Sequence, residues 1–311
     1  MILCIFNPEH DLCLGNGDKN FVPPASALRF AREQAGLMAG LYGTETRCMG
    51  TMDFGPWALE DVDEVVMWGV DSRTVAVLKK AGMPEGWMPS DEMVARVRRL
   101  QHRRESLSLQ QEVDALWGDT APSAASRMDE IEERLETEVD VVLKAPWSGA
   151  GRGLRWLRGK LSEHDRMWAR KVMRQQDCVM VEPRRKVVLD YAREYWVGYD
   201  GPEYIGYSLF GTENGVYRGN TILTETQIEQ RLEEASTAER VALTNSHVDA
   251  WVRAKLADCY RGPLGVDLYV DDRGLPHVGE VNLRHTMGML AVAEARGDHG
   301  LLAQYLTKTK R

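Results

Sequence analysis

Two short stretches of this 311-residue chain hold side chains whose types and spacing could do chemistry. The first is VVLKAPWSGAGRG, in which a β-branched run delivers Lys144 to a loop containing Ser148, Gly149, Gly151, Arg152 and Gly153. Glycines let backbone N–H groups turn toward one point and approach an anion closely, and a lysine at a strand end adds a point charge, so the segment suits phosphates. It is not a P-loop, because the lysine precedes the glycines instead of following them, and it does not match GxGxxG. A surface hairpin beside a lysine would have the same composition. The second stretch runs from GVDLYV to GEVNLRHTMG and holds Asp267, Glu280 and Asn282. Residues two apart on a strand share a face, so Glu280 and Asn282 point the same way, and Asp267 can meet them from the partner strand across the turn DDRG. Two carboxylates and an amide oxygen form an oxygen-only set suited to magnesium and unsuited to zinc. Without a cation, such acids at the end of an apolar strand pair would repel and lose hydration.

Both groups need strands to carry them, and the surrounding sequence supplies the pattern. From Ile2 to Met88 the apolar runs ILCIF and EVVMW, the latter ending at Trp68, alternate with helical stretches such as ASALRFAREQAGLMAG. That is the βα rhythm of a parallel sheet. Residues 90–138 read as mostly helical, with Met128, Ile131 and Leu135 forming an apolar stripe behind Ser126 as N-cap. The strand DVVLK, the glycine loop, the helix SEHDRMWARKVMRQ and the strand CVMVE follow as one unit. Beyond them come three or four β-rich runs from Lys186 to Tyr217, helices to Tyr260, the strand pair LGVDLYV and PHVGEVNL, and LLAQYLTKT as a last helix. The expected organisation is an N-terminal parallel α/β domain over 1–89, concerned with substrate recognition, and two α+β subdomains over 90–185 and 186–311.

Apolar residues at 43% and charged residues at 28% are ordinary for a globular protein, and no run approaches the roughly 20 apolar residues of a spanning helix. MILCIFNPEHD meets acidic residues at once and reads as a first strand, not a signal peptide. Five scattered cysteines without a CxxC pair point away from zinc and redox chemistry and toward a reducing cytoplasm. A net charge of -8 argues against broad nucleic-acid binding. The expected partners are therefore small molecules, with neither nucleic acid nor membrane, and a homodimer is left open.

Taken together, Lys144, the strand ending at Glu182, and the set Asp267, Glu280 and Asn282 resemble, in that order, the ATP-grasp superfamily over residues 90–295. Its members include D-alanine:D-alanine ligase and carbamoyl phosphate synthetase-type modules. The resemblance implies an α+β ATP-grasp fold in which the second and third segments enclose ATP and magnesium. It implies that Lys144, Ser148, Gly149, Gly151, Arg152 and Gly153 hold phosphates, and that main chain of Val181, Glu182 and Pro183 faces adenine. It assigns magnesium to Asp267, Glu280 and Asn282, and the ribose hydroxyls to Glu194, with Asp190 as a competing candidate. The superfamily's first ATP lysine has no counterpart in LQHRRESLSLQQ, so Arg103 or Arg104 takes that place. The implied reaction is ATP-dependent activation of a carboxylate as acyl-phosphate for attack by an amine. A small-molecule kinase, or a nucleotide-binding regulatory protein without turnover, would use the same apparatus. No GxSxG elbow and no cysteine with an evident histidine partner speak for a hydrolase.

Arg284 follows Asn282 by two and so shares its strand face, where a guanidinium would clamp a substrate carboxylate or form a structural ion pair. His285 falls on the opposite face and reads as structural, with Thr286, Met287 and Gly288 as the turn out of the strand. The polar segment NPEHDLCLGNGDKNFVPP follows the first strand, where open α/β sheets place ligands. His10, Asp11, Asn16 and Asp18 are its candidates for an amine or polar head group; a hydrogen-bonded structural loop is the alternative.

Overall fold

The computed structural model describes residues 1–149 and 153–306. Its first sheet grows from the apolar run at the N-terminus. Leu3, Cys4, Ile5 and Phe6 of β1 (Ile2–Phe6) are all fully buried, so both faces of the strand need cover. Helix α1 (His10–Asn16) follows directly and replaces the expected polar loop. The long helical stretch divides into α2 (Ala25–Glu33), a 3-10 turn (Ala35–Met38) and α3 (Ala39–Tyr42). A strand not anticipated from the sequence, β2 (Thr46–Gly50), pairs with β1, as does β3 (Glu64–Met67), giving a parallel sheet in the order β2-β1-β3. Only short apolar stretches mark TRCMG, which hides it from periodicity. Helix α4 (Ser72–Lys80) is capped by Asp71.

Helices α5 (Asp91–Leu100) and α6 (Leu107–Leu116) lead to the second sheet, formed by β4 (Ser123–Ala125), β5 (Asp140–Lys144), β6 (Leu154–Arg158) and β7 (Val179–Pro183) in the order β4-β7-β5-β6. Helix α7 (Met128–Thr137) buries Ile131 and Leu135 as expected, but its N-cap is Arg127, whose backbone N–H donates to Glu130 Oε2 at 3.2 Å, not Ser126. Helix α8 (Glu163–Gln176) starts from a Ser162–Asp165 capping box. Alternation decides the faces of this sheet. Val141, Leu143, Leu157, Val179 and Val181 join Ile131, Leu135, Ala169 and Val172 in one core, leaving Val142, Lys144, Leu154, Trp156 and Glu182 to the other side.

The third sheet is antiparallel, β10-β9-β8-β11-β12. Its strands are β8 (Val187–Gly198), β9 (Gly201–Glu213), β10 (Val216–Thr221), β11 (Gly262–Asp271) and β12 (Pro276–Asn282), with α9 (Glu225–Ala235) and α10 (Ala238–Leu256) behind it. Leu264, Val266, Leu268 and Val270 of β11 face the helices and share a core with Leu109, Val113, Val248 and Val252. Each fully buried aliphatic side chain contributes roughly 1.5–3 kcal/mol. That core fixes where the intervening residues, Gly265, Asp267 and Tyr269, must point. Helices α5 and α6 thus pack on the third sheet although they precede the second in sequence. Helix α11 (Met287–Arg296) returns to the first sheet, where Met289, Val292 and Ala293 meet Cys4 and Phe6. The last helix, α12 (Ala303–Leu306), covers part of LLAQYLTKT; residues 307–311 lie outside the described residues. Among the described residues no helix is long and apolar enough to cross a membrane.

Candidate active site

The polar faces of the second and third sheets look at each other across a cavity of about 1140 Å³ that extends to the carboxyl end of the parallel sheet. Lys144 and Glu182 line it from one side, Asp190, Glu194, Asp267, Glu280 and Asn282 from the other, and Arg103, Asp11 and Arg284 close one end.

A bulge builds the acidic set. Asp267 pairs with Glu280 and Gly265 with Asn282, but the register then slips so that Leu268 meets Val278 and Gly279 is the extra residue. The slip keeps Val278 and Val281 in the core while Glu280 and Asn282 share the cavity face with Asp267. Asn282 Nδ2 donates to Asp267 Oδ2 at 3.0 Å. Burial, and then the charges of Glu280 and Glu194, push the Asp267 carboxyl up to about 8. This cluster of carboxylates therefore has more negative charge than its protein neighbours offset. An oxygen-rich set in that condition fits a hard divalent cation.

Cations surround the acids. Arg103 donates from Nη2 to Glu280 Oε2 at 2.6 Å and from Nη1 to Ser148 Oγ at 2.7 Å, and it also donates to the carbonyl of Ala145. It thus ties the start of the glycine loop to the acidic set. Arg104 points elsewhere, reaching Ser126 Oγ at 3.2 Å on the exposed surface. Between the two arginines that the sequence left open, only Arg103 reaches the cavity. Lys144 Nζ lies 2.6 Å from Glu182 Oε2, and the other Glu182 oxygen is buried without a hydrogen-bond partner among the described residues. The neck of the loop closes with Ala145 N donating to Gly153 O at 2.9 Å. A Cβ at Gly153 would overlap the Ser148 side chain, which is the reason for glycine there. Ser148 and Gly149 line the cavity, and Gly149 packs close to Asp11. Gly151 and Arg152, also assigned to phosphate, lie outside the described residues.

Arg284 joins the acidic set to the N-terminal segment. Its Nη2 donates to Asn282 Oδ1 and to Asp11 Oδ2, both at 3.0 Å. Burial pushes the Asp11 carboxyl up, but Arg284 and His10 outweigh it and hold the group well below the usual carboxylate range. Of the four candidates in this segment, Asp11 lines the cavity; Asn16 and Asp18 are exposed, and His10 is a buried structural contact, 3.0 Å from Val70 O. His285 is structural as expected, held by Tyr42 Oη at 2.6 Å and Trp68 O at 2.9 Å, with burial lowering it to about 4.

No protein-family model and no curated protein matches the chain. Solved structures do. N5-carboxyaminoimidazole synthetase from Staphylococcus aureus, complexed with ADP, superposes with a TM-score of 0.52 at 12% identity over 100% of this chain and 78% of that one. D-alanyl-alanine synthetase A from Vibrio cholerae gives 0.52 at 14% identity over 98% and 96%. The chain has the ATP-grasp fold.

Glu182 and Pro183 lie on the cavity wall, whereas the Val181 side chain is in the core of the second sheet. Glu194, assigned to ribose, stands at the acidic end: it is fully buried, accepts from Ser208 Oγ at 2.9 Å and Thr286 Oγ1 at 2.8 Å, and burial raises it to about 7. Asp190 is four residues away along β8, opposite Tyr269, where the charge of Lys144 reaches it and Thr212 Oγ1 donates to it at 2.7 Å. Thr286 is not in a turn; it caps α11, accepting from Met289 N at 3.1 Å, and Met287 and Gly288 begin that helix. The sequence reading missed Arg185 and Tyr269, which line the cavity beside Glu182. Arg185 donates to Tyr269 Oη and to Asp114 Oδ2, both at 3.0 Å, and its one sequence signal is its place three residues beyond Glu182. Nearby, Asp119, Asp271 and His277 bring ligand atoms within 4.8 Å of one another, but Arg185 and Arg273 already neutralise the carboxylates, so the cluster acts as a staple.

Proposed function

We propose that the protein is an ATP-dependent ligase that activates a carboxylate as acyl-phosphate and passes it to an amine. The observation that carries this reading is the convergence of Lys144, Arg103 and Arg284 with Asp267, Glu280 and Asn282 on one cavity. That combination places positive charge and cation ligands together, as a transferring phosphoryl group requires. The fold relatives named above, one holding ADP and both named as synthetases, support it.

In this reading residues 1–89 meet the acceptor, and residues 90–185 and 186–311 enclose the nucleotide. Adenine lies against main chain of Val181, Glu182 and Pro183, with Asp190 as the better placed ribose carboxylate, since it sits on the Lys144 side of the cavity. Lys144, Ser148, Gly149 and Gly153 take the phosphates, and Arg103 serves in place of the first lysine because it already spans the loop and Glu280. Asp267, Glu280 and Asn282 would hold magnesium, which supplies charge neutralisation at the terminal phosphates. Arg284, oriented by Asp11, presents its guanidinium to the acceptor carboxylate. Glu194 holds the N-terminus of α11 in place through Thr286.

The test is ADP release by the purified chain with magnesium, ATP and pools of carboxylates and amines. Turnover that needs both a carboxylate and an amine supports the ligase. Turnover with hydroxyl compounds alone would make it a kinase, and nucleotide binding without turnover a regulatory protein.

A further inference from the structure

We propose that a second cleft, adjoining the main cavity along the outer edge of the third sheet, binds an extended peptide as an added strand, and that the carboxylate activated at the metal end belongs to that peptide. The cleft holds about 500 Å³ and shares Tyr217, Asn220 and Met287 with the lining of the main cavity. They meet at the acidic end, because Met287 opens α11 directly after Thr286, whose Oγ1 donates to Glu194. One wall of the cleft is a helix face, on which Met287, Leu290, Ala291 and Glu294 recur from turn to turn of α11. The facing wall is the edge of a strand and not its face. Gly219 and Asn220 are consecutive in β10 and both line the cleft, whereas successive side chains on one strand alternate between faces. β10 ends its sheet with β9 as its one neighbour, and among the described residues no backbone hydrogen bond joins Val216–Thr221 to anything but β9.

The residues of this edge favour pairing. Edges that must not pair are blunted by charges, prolines or bulges, or are covered. Here the bulge lies between Tyr217 and Gly219, and the stretch beyond it, Gly219, Asn220, Thr221 and Ile222, has neither charge nor proline. Such a stretch spans about 13 Å at strand rise. Ile222 is 49% exposed and, with Leu37, Met287 and Leu290, gives the cleft an apolar lining for alternate side chains. Gly36 borders the same space, and a Cβ there would meet nothing within 4 Å, so the cleft has room. A hydrocarbon tail would use the apolar lining alone. Open main-chain donors and acceptors beside that lining are what a peptide backbone satisfies, with the pockets selecting its side chains. The inference deepens the ligase reading, on which the role of the carboxylate rests; the peptide groove stands on the cleft and the open edge alone.

The experiment measures binding to the full chain by calorimetry, without nucleotide, of acetyl-Thr-Val-Thr-Val-Thr-Val with a free carboxylate, of two analogues N-methylated at every valine or at every threonine, and of octanoate. An added strand bonds through the amides of alternate residues, so one analogue is expected to bind at least tenfold more weakly than the parent peptide and the other within about threefold. Octanoate is expected to bind at least tenfold more weakly than the peptide. Gly36→Phe, which fills the cleft from the 3-10 turn, is expected to weaken the peptide at least tenfold and to leave ATP binding within about twofold. Analogues that bind alike, octanoate that binds as tightly as the peptide, no binding of any probe, or undiminished peptide binding by Gly36→Phe overturns the groove. So does a dimer in sedimentation that Ile222→Asp dissociates, since the edge then belongs to a second copy of the chain. ADP release with ATP, magnesium and amines is expected to be at least tenfold faster with the peptide than with its C-terminal amide, and equal release overturns the assignment of the carboxylate. Nucleotide is titrated separately: absence of its binding with peptide binding intact sinks the ligase reading alone, and its binding without peptide binding sinks the groove alone.

Discussion

Replacing Asp267 with asparagine is expected to stabilise the ligand-free protein at alkaline pH and to abolish most of its stabilisation by magnesium and ATP. The carboxyl has Asn282 as its hydrogen-bond donor and no cation in contact among the described residues, and burial, Glu280 and Glu194 raise it from 3.8 to about 8. Because the folded-state value lies above the unfolded one, the folded protein binds the extra proton between about pH 4 and 8, and stability falls as pH rises through that window. Each unit corresponds to about 1.4 kcal/mol, so ionisation costs at most about 6 kcal/mol, and relaxation around a partly exposed side chain reduces this to an expected ~2 kcal/mol. Asparagine keeps the volume, carries no charge and can donate to Glu280 or Glu194. Glu194, raised to about 7, adds its own decline below that pH in both proteins. The Asp267→Asn curve should therefore flatten above about pH 7 while the parent keeps losing stability to pH 8 and beyond, with the variant melting a few degrees higher at pH 9. Magnesium and ATP should reverse the order, stabilising the parent by about 2.7 kcal/mol at a hundredfold excess over the dissociation constant and the variant by distinctly less. Melting curves at pH 6 to 9, with and without both ligands, make the measurement. Parallel pH profiles together with equal ligand stabilisation would refute the electrostatic account and the metal assignment. Glu280→Gln is a poorer probe, since it relieves repulsion but also removes the 2.6 Å contact with Arg103.

Lys144→Ala is expected to lose the thermal shift with ATP and about 1–3 kcal/mol of stability besides, because it strands the buried Glu182 carboxylate; an unchanged shift with ATP would remove Lys144 from the phosphate site. Arg103→Lys keeps the charge but cannot hold Ser148 and Glu280 together, so KM for ATP should rise at least tenfold, measured by steady-state kinetics, with little change in melting temperature. ATP should bind at least tenfold tighter than GTP in calorimetry if main chain at Glu182 and Pro183 reads adenine, and equal affinities would count against that wall. Gly288→Ala would drive a methyl group into Glu194 and Ser208, so a loss of about 1–3 kcal/mol is expected in denaturant titrations.

Local chemistry made part of this protein legible in its sequence. The alternation of LGVDLYV assigns Val266 and Leu268 to a core and Asp267 to the other face, and the structure keeps that assignment. The two-residue spacing of Glu280 and Asn282 likewise survives, because a period of two is a property of the strand itself, whereas Arg284 lies beyond the end of β12 and reaches the cavity from the bend that follows it. The strand-to-loop delivery of Lys144 is equally local. What sequence could not decide depends on chain segments far apart. Arg103 and Arg104 are indistinguishable in LQHRRESLSLQQ; a contact with Glu280, 177 residues away, selects Arg103. Arg284 finds Asp11 across 273 residues, which turns a polar N-terminal segment into one wall of the cleft and leaves Asn16 and Asp18 outside it. Glu194 and Asp190 have the same face and similar chemistry, and only the packing of Thr286 and Ser208 against one and the approach of Lys144 to the other separates them. Periodicity reports which face a side chain takes. Which partner it meets, and therefore its charge and its task, is set by how the three sheets pack, and no local pattern encodes that.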